Sequence, residues 1–237
     1  MIETFVALVF AHVMADYVFQ TGWMVERKKD PGILLAHIAL VVMLAMAAIG
    51  RMDAPEILAL GAAHLVIDAV KTYLLPDTLY WHIADQIAHF ASVAAAAIYA
   101  PTLWATGMWQ DCTPILHAML LFAGLIFATR AGRFAIEKLM TAQAQTSTPE
   151  TGLPKGGLTI GYLERGLIYA LMLGGLSASI GFLIAAKSIL RFGAVSEDRS
   201  ASEYVIIGTL ASFGWAILVT LVVMKLQSML PPLEIGR

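Results

Sequence analysis

Polar positions interrupt the apolar pattern of this chain at a few well-defined places, and the runs between them set the expected architecture. A membrane-crossing helix needs about 20 mainly apolar residues. Seven stretches qualify: 4–20, 33–50, 56–75, 82–100, 114–137, 160–191 and 203–229. The breaks carry turn chemistry. Asp30-Pro31-Gly32 opens the second run and Asp53-Ala54-Pro55 the third, each with proline just inside the helix start. Pro76-Asp77 closes the third run and Pro101 the fourth. Residues 141–157 are polar and rich in Pro, Gly and Thr, which reads as a linker. The expected organisation is a membrane domain over 1–140, that linker, and a two-helix membrane segment over 158–237, whose helices meet at a polar loop, Gly193 to Ser202.

The polar positions inside the first four runs repeat. Ala11-His12, Asp16, Ala36-His37 and Ala39 recur 52 residues later as Ala63-His64, Asp68, Ala88-His89 and Ala91. The alanines match cheaply, but the chain has only six His. A register without gaps predicts a duplicated two-helix unit, about 4–52 and 56–104. Both hairpins start on the same side, as in parallel-repeat membrane folds.

Composition agrees with a membrane protein. The 237 residues are 59% hydrophobic and only 14% charged, with a mean hydropathy of +0.77. A soluble domain carries about 25% charged residues. No basic run forms a phosphate-binding stripe, so nucleic acid is excluded as a partner. The single Cys112 rules out an internal disulfide and any multi-cysteine metal site. The first run lacks a positive flank and carries His12 and Asp16, so it is expected to be a retained span rather than a signal peptide.

Lys and Arg near helix ends set orientation. With the N-terminus outside, eleven fall on the cytoplasmic side, from Arg27, Lys28 and Lys29 through Lys71 and Arg130 to Arg237. Four, Arg51, Lys187, Arg191 and Arg199, fall outside. Seven spans then place the N-terminus outside and the C-terminus in the cytoplasm. Two aromatic belts fit this frame: Trp23, Tyr80, Trp81 and Tyr162 inside, Tyr99, Trp104, Trp109 and Tyr204 outside. At 1.5 Å per residue, His12, Asp16, His37, His64, Asp68, Asp85 and His89 share a band about 15 Å deep in the cytoplasmic half.

Residues four apart share a helix face, so His12/Asp16, His64/Asp68 and Asp85/His89 each point two polar groups one way. His82 and Gln86 lie on the same side of the fourth helix. Ionisable groups in hydrocarbon face a bundle interior, paired or liganded. Three carboxylates and four imidazoles have one expected cation nearby, Lys71, three residues from Asp68. A divalent metal balances the rest. His and carboxylate ligands suit Zn²⁺, Mn²⁺, Fe²⁺ or Ni²⁺, with His12, Asp16, His37, His64, Asp68 and His89 as candidate ligands. Asp85 is a further ligand or the general base of a metal-dependent reaction. The set supports one ion or a two-metal site. The same residues also fit an ion, metal or proton transporter or channel, or a polar core holding a structural or assembly protein together. His117 stands apart near the outer end of the fifth run.

The C-terminal half carries Glu164-Arg165 near the start of the sixth run and Lys187 and Arg191 near its end, with Glu203 opening the seventh. These charges are expected to fix helix packing, with Glu203 pairing to Lys187 or Arg191. A second reading has Glu164 or Arg165 reach a headgroup or substrate. The small pairs Gly174/Ala178 and Ser177/Gly181 are expected to admit a neighbouring helix.

Three stretches, AHVMADYVFQTGWMVERKK, HLVIDAVK and DQIAH, resemble the bacterial inner-membrane family catalogued as domain of unknown function 3307. IGYLERG, GFLIAAKSILRF and EYVIIGTL look like the tail of many of its members. The resemblance implies a bacterial multi-span protein and carries no activity. More loosely, His/Asp-bearing spans are similar to those of bacterial membrane-bound metal-dependent hydrolases, whose His-Arg-Gly and Thr-His-Ser stretches are absent here. The reading is an all-α integral membrane protein of seven spans. Its expected activity is metal-dependent hydrolysis of a membrane-associated substrate, with the lipid bilayer as its other partner.

Overall fold

A computed structural model describes residues 1–143, 155–195 and 199–233. Most of the expected linker, 144–154, lies outside the described residues, as do 196–198 of the second polar loop. The described residues are helical with no strand, and they divide into two compact units. The first is residues 1–126 with 225–237, and the second is 127–224.

The first unit is arranged around α1 (Ile2–Met14), which packs on α3 (Pro31–Ile49), α5 (Leu79–Tyr99) and α6 (Thr113–Ile126). Its residues Val6, Ala7, Leu8, Ala11 and Val13 are buried on several faces, as a helix inside a bundle requires. α1 runs on into a π-helical turn, Ala15–Phe19, closed by the Gln20 N–H on the Ala15 carbonyl at 2.9 Å. Such turns widen the helix by one residue and recur at functional sites. A short helix, α2 (Gly22–Glu26), follows, capped by Thr21, whose Oγ1 accepts from the Met24 N–H at 3.3 Å. Its turn carries Lys28 back toward the bundle.

The helix starts match the turn signals. Pro31 stands at the head of α3, where Asp30 accepts from the Gly32 N–H at 2.8 Å, and Pro55 heads α4 (Pro55–Leu74). α3 ends on Gly50 at φ +76°, where a Cβ would meet the Met108 backbone nitrogen at 2.8 Å. Glycine is required there. Thr78 caps α5.

Both ends of the first unit lie on one face. Thr4 Oγ1 donates to the Pro101 carbonyl at 3.1 Å and accepts from the Trp104 N–H at 3.2 Å. His117, one turn into α6 from the same loop, meets the Pro231 carbonyl through Nε2 at 2.9 Å. His117 is therefore a tie for the C-terminal segment. Trp104 is buried rather than part of an interface belt, whereas Tyr80 and Tyr99 are exposed.

The second unit holds α7 (Gly132–Gln143), α8 (Gly156–Leu173), α9 (Ser179–Val195) and most of α10 (Arg199–Gln227). The expected single helix over 160–191 is broken here. Gly175 sits at φ +74°, with the Leu176 N–H on the Leu171 carbonyl and the Gly175 N–H on the Met172 carbonyl. This left-handed glycine stop ends α8. Glu164 meets Lys187, and Ile168 and Met172 share a cluster with Ile180, so α8 and α9 run antiparallel as a hairpin. Gly174, Ser177 and Ala178 therefore serve the turn.

Among the described residues, five helices are long and apolar enough to cross a membrane: Ile2–Phe19, Pro31–Ile49, Pro55–Leu74, Thr113–Thr141 and Ser202–Gln227. At 21 residues α5 has the length, but His82, Asp85, Gln86 and His89 lower its hydropathy.

Candidate metal centre

Four helices of the first unit turn seven polar side chains inward. α1 and its π turn supply His12 and Asp16, α3 supplies His37, α4 supplies His64 and Asp68, and α5 supplies Asp85 and His89. The six expected ligands and Asp85 come together in one buried cluster. His12, His37, His64, Asp68 and His89 are each at most 3% exposed.

Four atoms stand out. His37 Nε2 lies 3.4 Å from both Asp16 Oδ1 and Asp68 Oδ2. His64 Nε2 lies 3.5 Å from Asp16 Oδ1 and 3.6 Å from Asp68 Oδ2. These separations exceed the ordinary N–H···O range of about 2.7–3.2 Å. All four atoms are buried without a hydrogen-bond partner. A buried polar group left in that state costs about 1–3 kcal/mol, and more when charged. Ligands about 2.1 Å from a tetrahedral ion stand about 3.4 Å apart. The four His–Asp separations match ligands around an ion better than donors on acceptors.

A second grouping adjoins it. Asp68 Oδ1 lies 3.9 Å from His89 Nε2, and Asp85 Oδ1 lies 3.7 Å from His89 Nδ1. His89 Nδ1 stands 3.0 Å from the Asp85 backbone carbonyl, which only accepts, so Nδ1 carries the proton. Nε2 then presents its lone pair to the cluster. His12 stacks on His89 with ring centroids 5.1 Å apart, and its Nδ1 is 3.9 Å from Asp16 Oδ2. The His/Asp groups of this cluster can hold a metal ion.

The nearby cation is not the expected one. Lys71 turns to the α4–α5 connection, 3.5 Å from Asp77 and 3.4 Å from the Pro76 carbonyl. Lys28 instead places its Nζ 2.7 Å from Asp68 Oδ1. Spacing along the chain had no signal for this contact across 40 residues; the only hint was the basic run Arg27-Lys28-Lys29 after the first span. Three carboxylates and one ammonium leave two negative charges, the complement of one divalent ion.

The second unit holds a different buried cluster. Arg165 Nε and Nη2 donate to the Thr129 carbonyl at 3.3 and 3.0 Å, and Nη1 donates to Ser212 Oγ at 3.0 Å. Thr129 belongs to a π-helical turn, Phe127–Ala131, and Trp215 Nε1 donates to the Phe127 carbonyl of the same turn at 3.0 Å. Lys187 Nζ bonds Glu164 Oε2 at 2.7 Å. The Arg191 side chain lies outside the described residues. Glu164 and Arg165 are buried.

Neither the curated proteins nor the solved structures contain a match. One family model does match, described as a protein of unknown function (DUF3307), over residues 4–124. That stretch contains all seven clustered His and Asp residues and ends before the second unit. The chain belongs to the DUF3307 family.

Proposed function

We propose that this protein is an integral-membrane metalloprotein whose His37, His64, Asp16 and Asp68 hold a divalent ion, and that it acts as a metal-dependent hydrolase on a membrane-associated substrate. The observation that carries the metal reading is the quartet of buried ligand atoms without hydrogen bonds, whose His–Asp separations are 3.4–3.6 Å. The hydrolytic reading is supported by acidic and imidazole groups beyond those four. Asp85, nine-tenths buried beside His89, is placed to handle a proton or to take a further ion. Metal analysis of protein purified without chelator should find zinc, manganese, iron or nickel bound, and Asp16→Asn should lose it. Folded protein free of metal would overturn the reading. Hydrolysis of ester or phosphoester lipids should then depend on the ion and on Asp85.

A relay reading has one specific support. His37, His64, His89 and His12 form a chain of rings, with centroids 5.3, 4.1 and 5.1 Å apart in that order. Proton or metal flux into proteoliposomes that follows these residues, without any chemical product, would favour it.

The duplication is part of the proposal, since equivalent positions supply both carboxylates, Asp16 and Asp68. So is the setting in a bacterial inner membrane. Thr4 and Pro231 on one face require an even number of crossings. Six long helices together with an α8–α9 hairpin that returns to its starting side meet that requirement. Lys187, Arg191 and Arg199 then join the cytoplasmic side. Twelve of the 15 Lys and Arg lie there, against Arg51, Lys225 and Arg237 outside. Cysteine tagging, with Cys112 replaced, should find position 27 cytoplasmic and position 233 periplasmic. Both labelled from one side would refute this topology.

A further inference from the structure

We infer that the centre takes two metal ions bridged by Asp68, and that Lys28 occupies the place of the second ion until that ion arrives. The inference rests on the metal reading above and extends it. Asp68 turns its two oxygens to different tasks. Oδ2 belongs to the quartet, 3.4 Å from His37 Nε2 and 3.6 Å from His64 Nε2. Oδ1 points the other way, toward Lys28 Nζ at 2.7 Å and His89 Nε2 at 3.9 Å. Asp68, Asp85 and His89 each offer a ligand atom within 4.8 Å of the others. The His89 side chain is 1% exposed, and its Nε2 has no hydrogen-bond partner. Asp85 Oδ1, 3.7 Å from the other nitrogen of the His89 ring, is likewise buried without a hydrogen bond. A carboxylate with one oxygen in each of two ligand groups is the bridge of a two-metal site, in which ions stand about 3.5–4 Å apart.

The two positions differ in kind. The quartet supplies four protein ligands, a closed set of the type that holds structural metal. The second position supplies three, the number that leaves coordination open for water or substrate. The reactive ion is therefore the second one, and Lys28 controls access to it. Lys28 follows the short α2 and keeps 19% of its side chain exposed, so it can swing out without disturbing the bundle. With its ammonium displaced, two divalent ions and three carboxylates carry a net charge of +1. An anionic oxygen ligand, such as the phosphate or carboxylate of a substrate, neutralises that charge. The substrate class follows: an anionic ester presented at the membrane.

The test is a zinc titration of the stripped, full-length protein in detergent, read as ions bound per chain after equilibrium dialysis. Wild type should bind two ions, the second more weakly. His89→Ala should bind one. Lys28→Met should still bind two, with the second at least tenfold tighter. One ion in wild type, or two in His89→Ala, overturns the bridge and leaves the metal reading standing. No ion in wild type removes both. An unchanged second affinity in Lys28→Met refutes the placeholder role. Manganese-loaded wild type provides a check without any variant. A spin-coupled pair in its electron paramagnetic resonance spectrum supports two adjacent ions, and an isolated six-line signal alone contradicts them.

Discussion

The two units each bury a polar cluster, and they satisfy it on opposite terms. In the second unit each nitrogen of Arg165 has an acceptor, two of them on a carbonyl of a π turn, and Glu164 has Lys187. In the first unit a π turn also stands beside the cluster, but His37 Nε2, His64 Nε2, Asp16 Oδ1 and Asp68 Oδ2 have no hydrogen bond at all. Buried polar groups in native proteins are normally paired. The second cluster is closed by the protein and explains itself as packing. The first leaves those four atoms without a hydrogen bond, which is the opening the proposed ion fills.

The contrast breaks first at Asp68. Asp68→Asn removes an oxygen from the quartet and the oxygen that meets Lys28, so bound metal should fall to background, at least a hundredfold in affinity, by mass spectrometry of the purified protein. Metal retained at the wild-type level would mean that Asp68 is not a ligand. Chelator comes next. A ligand present at a thousand times its Kd stabilises by about 4 kcal/mol, so stripping should lower the thermal midpoint in detergent by several degrees.

Glu164→Gln sharpens the other side. It leaves the Lys187 ammonium without its carboxylate and should cost about 3 kcal/mol, with the metal content unchanged. The double variant Glu164→Gln/Lys187→Met should recover part of that loss. A metal loss in Glu164→Gln would show that the clusters are coupled. The smallest effect belongs to the turn. Gly175→Ala, at φ +74°, should cost about 1 kcal/mol by thermal melt and leave metal untouched.

Local spacing made the buried cluster legible, because His12/Asp16, His64/Asp68 and Asp85/His89 advertise themselves four residues apart. Proline placed the starts of α3 and α4 for the same local reason. Contacts made across the chain were not legible. Lys28 reaches Asp68 over 40 residues, and His117 reaches Pro231 over 114. Lys71 had the better spacing and the wrong direction, since it turns to the α4–α5 connection. Gly174-Gly175 was visible but ambiguous. Small residues in an apolar run serve either close packing or a stop, and only the left-handed φ of Gly175 distinguishes them. The π turn at Ala15–Phe19 left no mark, because an apolar helical pattern continues through it.

X-ray absorption at the metal edge, on protein carrying one ion per chain, tests the quartet most directly. The account predicts four nitrogen or oxygen scatterers at about 2.0–2.2 Å, with the multiple-scattering signature of two imidazoles. The imidazole signature should halve in His37→Ala. An ion surrounded by six oxygens with no imidazole signature would place the metal elsewhere and contradict the account.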